Sequence, residues 1–367
     1  MTAFARLAAS FIVALCVGVL AALPAQAQAQ VKDYIITGVK PNKLVLIDAK
    51  ARKVVRTFTI PKAAPGPVTI VASPNGRIAY VVVNRWESIS GIDLETGKQV
   101  FRADLSSGDE RVKIMFGMDI SPDGQVLAVY ESPVKLGLGE YTVQPTRISF
   151  YNTATSKRMR SIPVPRQITI LMYSKDGTKL YGMGRALYVI DPIDGTIIKE
   201  HKTQAWTRPN FAPPDILDVW SQFEQAGIFS TPYYTARTDK KPEDPTGYWT
   251  GILTLNLETG EFKLKDVENT DIFYFSTVVS PTNPNIVFGV YNNLAKLDIE
   301  KGKSLARIDL DHSYYDINIS TDGTEVYVGG TMSDITVYST ATLKKLGRID
   351  MPGGANMALS SMRIIRR

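Results

Sequence analysis

Residues 73–97, SPNGRIAYVVVNRWESISGIDLETG, contain the repeating unit that decides the fold. The unit begins with the tight turn Ser73-Pro74-Asn75-Gly76, continues through apolar stretches and ends in a second turn from Ile92 to Gly97. Proline suits the first central position of such a turn, asparagine or aspartate the next, and glycine accepts the positive φ that closes it. Alternating apolar residues between two turns are typical of short β-strands.

Both turns recur along the chain. The first reappears at residues 121–124, 174–177 and 320–323, with a variant at 280–283. The second has seven copies, which begin at Ile47, Ile92, Tyr151, Ile190, Leu255, Leu297 and Tyr338 and are spaced by 45, 59, 39, 65, 42 and 41 residues. Four short strands per repeat of about 40–50 residues are typical of propeller blades. The sequence therefore predicts an all-β, seven-bladed β-propeller with four-stranded blades; a misassigned irregular repeat would make the count six or eight.

The two ends of the chain predict how the ring closes. The first repeat begins at Tyr34 and lacks the strand that precedes the first turn elsewhere, whereas the tail from Met357 to Ile365 is a strand with no later partner. Pairing the C-terminal strand with the N-terminal blade completes one blade from both ends. Closure also protects the edge strands, which would otherwise be open to pairing.

The N-terminus predicts export. Residues 7–23 carry no charge, and the small residues from Ala25 to Ala29 offer the spacing that a signal peptidase needs. We expect residues 1–29 to be a cleaved signal peptide and residues 30–367 a single propeller domain. The alternative is a membrane anchor, but the apolar run is short for a span of roughly 20 residues. The mature protein is thus expected in the periplasm, without a membrane span.

Composition excludes several kinds of site. Cys16 is the only cysteine and lies in the signal segment, so the mature chain cannot attach c-type haem or bind metal through thiolates. His201 and His312 are the only imidazoles and lack a partner motif, so we expect no metal site, no catalytic residue and no bound cofactor. Without Arg6 the 42 basic residues become 41 against 36 acidic ones, a net charge of +5. No basic run exceeds two residues, so nucleic acid is not an expected partner.

Two insertions and two short segments are the candidates for contacts. The insertions cover residues 131–143 and 206–249, and each is either a binding loop or decoration. The segment with His312, Tyr314 and Tyr315 precedes an innermost strand, where these side chains line a cavity or face a partner; alternatively, one tyrosine packs between blades and His312 bonds locally. Arg85 and Trp86 end a strand and form either a partner anchor or an exposed cation-π pair.

The repeats, with residues 79–84 as the clearest case, resemble the YVTN class of secreted seven-bladed propellers. A narrower resemblance covers the mature chain and rests on motifs in a fixed order. These are residues 65–67, 91–97, 103–107, 164–167, 212–217, 293–296, 310–315, 329–331 and 351–354. In that combination the chain resembles the β subunit of quinohemoprotein amine dehydrogenase.

The resemblance implies a periplasmic αβγ enzyme that oxidises primary amines to aldehyde and ammonia. In that family a γ subunit carries cysteine tryptophylquinone, a di-haem cytochrome c α subunit accepts the electrons, and the propeller supports γ and walls the amine cavity. No catalytic residue of the family transfers to this chain. Two alternatives stay open: a YVTN-type binding or scaffold propeller with another partner, and an independent propeller enzyme with a metal on its axis.

Overall fold

The computed structural model describes residues 31–217, 219–269 and 272–367, so the predicted signal peptide lies outside the described residues. Residues Lys32–Arg367 form one compact unit. Its strands form seven sheets, each with four antiparallel strands that lead from the axis to the rim, and one sheet carries two further strands. The prediction of a seven-bladed β-propeller is confirmed.

The strands are given blade by blade, from the axis outward. Blade 1 contains β30 (Met362–Arg366), β1 (Asp33–Val39), β2 (Lys43–Asp48) and β3 (Lys53–Thr59). Blade 2 contains β4 (Ile70–Ala72), β5 (Ile78–Val83), β6 (Ser88–Asp93) and β7 (Gln99–Asp104). Blade 3 contains β9 (Met118–Ile120), β10 (Val126–Leu136), β12 (Arg147–Asn152) and β13 (Arg158–Pro163), with β8 (Glu110–Lys113) and β11 (Tyr141–Val143) added to β10.

Blade 4 contains β14 (Ile170–Tyr173), β15 (Leu180–Met183), β16 (Leu187–Ile190) and β17 (Ile197–His201). Blade 5 contains β18 (Asp215–Ile216), β19 (Ile228–Ala236), β20 (Tyr248–Asn256) and β21 (Phe262–Glu268). Blade 6 contains β22 (Tyr274–Val279), β23 (Ile286–Tyr291), β24 (Asn293–Asp298) and β25 (Lys303–Asp309). Blade 7 contains β26 (Asp316–Ile319), β27 (Glu325–Gly329), β28 (Asp334–Ser339) and β29 (Lys345–Asp350). Two short 3-10 turns lie at Pro245–Gly247 and Pro352–Gly354.

Ring closure follows the prediction. β30 pairs antiparallel with β1, from Asp33 opposite Arg366 to Thr37 opposite Met362. The strand begins later than the apolar tail suggests, because residues 351–361 form the connection that brings the chain back to the axis.

The core is divided among the contacts between blades. Seven clusters of buried apolar side chains occur in the described residues, one between each pair of neighbouring blades. Successive strand residues point to opposite faces of a sheet, and β5 shows the result. Tyr80 and Val82 pack towards blade 3, whereas Val81 and Val83 pack towards blade 1. Strands buried on both faces therefore have continuous apolar sequences.

Candidate docking face

The two flat faces of the ring are built from different connections. Connections from the first to the second strand and from the third to the fourth lie on one face, which we call the turn face. Connections from the second to the third strand and between blades lie on the other, which we call the loop face. The repeated turns are all on the turn face, where Gly76, Gly124, Gly177 and Gly323 adopt φ values of 65–73°.

All five residues singled out from the sequence lie on the loop face. His312, Tyr314 and Tyr315 belong to the connection between blades 6 and 7, and Arg85 and Trp86 belong to the turn between β5 and β6. Because blade 1 lies between blades 7 and 2 in the ring, the fold puts the two groups on one face but not in one cluster.

His312 forms a local network. Its Nε2 lies 3.0 Å from Oδ1 of the buried Asp334, and its Nδ1 lies 2.9 Å from the carbonyl oxygen of Ser313. The hydroxyl of Tyr314 donates to Asp334 Oδ2 at 2.9 Å and lies 2.9 Å from Thr336 Oγ1. The His312 and Tyr314 rings contact at 4.0 Å. This network fastens the inter-blade connection to β28, so His312 and Tyr314 hold the loop and Tyr314 has no free surface.

Tyr315 is placed differently. Its half-buried ring stacks on Phe275 at 4.3 Å and on Tyr291 at 6.1 Å. Phe275 also contacts Trp220 at 5.5 Å, and Trp220 contacts Phe116 at 6.2 Å. We call these five residues the aromatic floor. Trp220 comes from the plug described below, Phe275 from β22 and Tyr291 from the end of β23. Phe116 and Tyr315 come from the segments that precede β9 and β26, so the floor lies near the axis on the loop face.

The sequence allowed a cation-π pair between Arg85 and Trp86, but these two side chains do not form that pair. The cation over the Trp86 ring is Lys113, at 5.7 Å, which reaches it from β8. Asn84, Arg85 and Trp86 have φ values of 54°, 57° and 67°, so three consecutive residues adopt the left-handed conformation. That conformation costs a non-glycine residue roughly 1–2 kcal/mol. The turn points Arg85 into solvent and leaves Trp86 half-buried against the core of blades 2 and 3.

Exposed apolar side chains are unevenly distributed. Among the described residues of Lys32–Arg367, seven large apolar side chains are exposed on the loop face and one, Ile193, on the turn face. The seven are Met115, Leu138, Tyr141, Val143, Phe273, Met332 and Leu359. The remaining exposed ones are dispersed over the outermost strands. A concentration of exposed apolar groups marks an interaction surface.

Both insertions extend the loop face. In blade 3 the end of β10 continues past the ring and pairs with β8 and β11, forming a small three-stranded flap. In blade 5 the nine-residue strands β19 and β20 project in the same direction, and Arg208 packs over the Phe211 ring at 3.6 Å beside them. Long connections on a rigid scaffold are common places for contacts.

Blade 5 also contains a feature that the repeats do not predict. Its innermost strand, β18, has only two residues, and residues 219–227 lie where the other blades continue that strand. This segment, the plug, runs across the axis from the loop face to the turn face. Gln222 donates to Asp316 on β26, and Ser221 contacts Arg363 on β30, so the plug joins blade 5 to blades 7 and 1.

Arg363 is the centre of the axial contacts. The side chain is 4% exposed, and its Nε donates to the carbonyl oxygen of Ile70 at 2.7 Å. Its Nη1 donates to Glu224 Oε1 at 2.7 Å and to the carbonyl oxygen of Ser221. Asp316 accepts from Gln222 and from the Met362 backbone N–H. Desolvation by burial raises the pKa of Asp316, and of the neighbouring axial carboxylate Asp119, to about 7.

Sequence reasoning missed the plug and Arg363. Two features of the sequence could have indicated them. One is Arg363 itself, a charged residue inside the apolar run from Met362 to Ile365. The other is the insertion at residues 206–249, which lies where the repeat pattern lacks an innermost strand. Trp220, in the plug, is 4% exposed, and its indole N–H is buried without a hydrogen-bond partner among the described residues.

Two kinds of feature are absent from the described part of the chain. No group of three or more histidine, cysteine, aspartate or glutamate side chains there could hold a metal ion. No helix in those residues has the length and apolar character needed to cross a bilayer.

Comparisons with known proteins agree on the fold. No protein-family model and no curated protein sequence matches this chain. Among solved structures, hydrazine synthase of Kuenenia stuttgartiensis has a TM-score of 0.60 at 15% identity, over 83% of this chain and 90% of that one. The apo form of AztD from Citrobacter koseri has a TM-score of 0.52 at 13% identity, over 91% and 98%.

The propeller domain of Cps50 (Swd1) from Myceliophteria thermophila has a TM-score of 0.57 at 15% identity, over 83% and 93%. At such identities these similarities establish the propeller fold alone.

Proposed function

We propose that this chain is the cofactor-free β subunit of a periplasmic quinohemoprotein amine dehydrogenase, which oxidises primary amines to aldehyde and ammonia. Its partners are a γ subunit with cysteine tryptophylquinone and a di-haem cytochrome c α subunit. The ordered motifs across the mature chain suggest the family. The observation in the structure that supports a partner is the apolar loop face, where seven large apolar side chains are exposed among the described residues, against one on the turn face.

The distribution of cysteine supports the division of labour. Thioether attachment of haem and the thioether of a cysteine tryptophylquinone both need cysteine, and the chain has none after Cys16. The redox groups therefore belong to the partner chains, and this chain contributes shape and contacts. A fold similar to that of hydrazine synthase of Kuenenia stuttgartiensis is compatible with a place in a redox enzyme.

The aromatic floor is the part of the loop face that walls the amine cavity in this proposal. Tyr315 and Phe275 present half-buried rings there, while His312 and Tyr314 hold the connection in place. Aromatic faces accept the organic part of an amine by burial and its ammonium group through cation-π attraction. Trp86 and the flap lie further from the axis and contact the partner chain.

Co-expression of this chain with the proposed α and γ subunits tests the function. The native complex should show c-type haem absorbance and quinone redox staining on other, separable chains, and it should reduce an artificial acceptor with a primary amine. Recovery of this chain with a partner that holds neither group would favour the YVTN-type scaffold instead. Recovery without any partner under mild conditions would contradict both readings.

Surface variants test the face. Met332→Asp and Leu359→Asp place charge on the loop face, and Ile193→Asp is the matched change on the turn face. We expect the loop-face variants to weaken partner binding at least tenfold, measured by pull-down titration, since a buried unpaired charge costs more than the about 1.4 kcal/mol that a tenfold change represents. Ile193→Asp should bind normally. Equal losses from both faces would refute the assignment.

A further inference from the structure

The turn face contains a cavity that the proposed function does not use. It has a volume of about 740 Å³ and lies on the axis, between the plug and the turns of blades 2, 3, 4 and 7. Residues 223–227 of the plug form one wall, and Arg363 and Asp119 lie among its lining residues. This size is within the range of small-molecule sites.

The cationic groups around this cavity are already engaged. Arg363 donates to Glu224, Ser221 and Ile70. Lys175 at the rim pairs with Glu258 at 2.9 Å, and Arg366 lies 3.7 Å from Asp33. Each lysine and arginine on the cavity wall therefore already has a carboxylate partner.

The wall instead offers acceptors. Asp119 is 7% exposed, and its Oδ2 accepts the backbone N–H of Tyr173 at 2.7 Å. Among the described residues no cationic nitrogen pairs with it within 4.0 Å, although Arg363 lowers its pKa from a distance. In addition, Gln225 lines the cavity, and its Oε1 is shielded from solvent without a hydrogen-bond donor. Because that oxygen has no accessible surface, Asp119 is the acceptor that a ligand in the cavity can reach.

The rest of the wall is apolar. Tyr173, Phe223, Leu257 and Ile365 line the cavity together with two prolines of the turns. Acceptors combined with apolar surface fit a ligand that has a cationic or donor end and a hydrocarbon body. A metal ion does not fit, because the described residues provide no group of three suitable ligands.

We propose that this axial cavity binds an organic ammonium ion, with the ammonium group on Asp119 and the hydrocarbon body against Phe223 and Tyr173. The bound cation supplies Asp119 with the opposite charge that it lacks. Since the site is on the turn face and belongs to this chain alone, the proposal does not depend on the partner subunits. Because Phe223 belongs to the plug, the ligand also bridges the plug to blade 3.

Charge on Asp119 controls this binding. Burial raises the pKa of Asp119 to about 7, so the carboxyl is largely protonated at pH 6 and ionised at pH 8. A primary ammonium remains charged over that range. The other charged groups that face the cavity are Glu224, Glu258, Lys175, Arg363 and Arg366. The affinity for the ammonium ion should therefore rise between pH 6 and pH 8.

Calorimetric titration of the full chain with benzylammonium tests the proposal, with benzyl alcohol and benzoate as neutral and anionic analogues. We expect saturable one-site binding of benzylammonium with a dissociation constant below about 1 mM, tightening about tenfold from pH 6 to pH 8. The two analogues should bind at least tenfold more weakly. Equal binding of all three, or no saturable binding at 10 mM, would overturn the proposal.

Two variants locate the site. Asp119→Asn keeps an oxygen for the Tyr173 N–H but removes the charge, and we expect it to lose at least tenfold in affinity and its pH dependence. Glu258→Gln removes a carboxylate from the exposed rim and should change affinity less than threefold. Equal losses in the two variants would show a general charge effect and contradict a built site. Phe223→Ala, which removes an apolar group from the cavity wall and leaves the aromatic floor intact, should also weaken binding, and it tests the site if Asp119→Asn fails to fold.

Discussion

The two faces of this ring come from the same repeats but differ in regularity. On the turn face, short turns with nearly the same sequence close blade after blade, as Asp93 shows by accepting the backbone N–H groups of Glu95 and Thr96 at 2.9 and 2.8 Å. On the loop face the connections differ in length and conformation, two of them extend beyond the ring, and apolar side chains are exposed. The sequence of the turn face therefore carries the pattern that specifies the propeller fold. The loop face carries the features that are particular to this chain.

The plug is where the two faces meet, and breaking it should have the largest effect. Arg363→Leu removes the guanidinium that joins β30 to the plug and leaves Glu224 and two carbonyl groups without their donor. Glu224 is exposed, but leaving a buried acceptor without its donor costs about 1–3 kcal/mol, and two buried carbonyl groups are affected here. Urea unfolding should show a loss of that size. Lys263→Leu, which removes an exposed pair with Glu261, should cost less than about 1 kcal/mol. Similar losses in the two variants would mean that the plug does not brace the ring.

Stability should depend on pH in opposite directions for Asp316 on the axis and for Asp93 on the turn face. Burial raises the folded pKa of Asp316 to about 7, whereas the unfolded value is near 3.9. Between these values the unfolded chain binds fewer protons, so this group makes stability fall from about pH 4 to pH 7 by a few kcal/mol and then level off. Asp93 acts in the opposite sense, because hydrogen bonds lower its pKa to about 2, so its contribution is lost as the pH falls below about 4.

Asp316→Asn isolates the axial contribution. The asparagine oxygen keeps the Met362 N–H as a donor, and its amide supplies a donor for the unpartnered Gln222 Oε1 after an amide flip. The variant should show a shallower decline between pH 4 and pH 7 in denaturant titrations than the parent chain. An unchanged slope would mean that Asp316 is ionised throughout.

Two aspartates compare the faces directly. Asp334→Ala on the loop face removes the acceptor of His312 and of the buried Tyr314 hydroxyl and should cost about 1–3 kcal/mol. Asp93→Ala on the turn face removes one cap of a turn and should cost about 1 kcal/mol. Both are measurable by thermal unfolding. Partner affinity should fall only for Asp334→Ala, since only that residue positions the loop face; a loss with Asp93→Ala would remove the functional distinction.

The turn face was predictable because its sequence requirements are local. A glycine with positive φ and an aspartate that accepts neighbouring N–H groups leave a readable pattern within six residues, and copies of that pattern give the blade number. Closure was predictable for the same reason, since an unpaired strand at each end of the chain has one place to pair.

The axis was not predictable, because its contacts join distant parts of the chain. Arg363 meets Glu224 across 139 positions, and nothing near either residue indicates the other. The candidate segments both lie on the loop face, but their roles depend on packing. Tyr314 is buried in a network with Asp334, whereas Tyr315, one residue later, turns to the aromatic floor, and Lys113 replaces Arg85 over Trp86.

The smallest effect concerns backbone strain on the loop face. Arg85 is the middle of three left-handed residues, and a glycine there avoids a cost of roughly 1–2 kcal/mol while losing about 0.5–1 kcal/mol of chain entropy on folding. Arg85→Gly should therefore stabilise the chain by about 0.5–1 kcal/mol. Lys50→Gly, in a turn-face connection with ordinary φ, should destabilise it by about the same amount. Opposite signs in parallel denaturant titrations would show that the turn at Arg85 retains strain, as expected of a segment shaped for contact. If both changes destabilise the chain, the left-handed conformation of residues 84–86 carries no strain, and packing alone holds Trp86 in place.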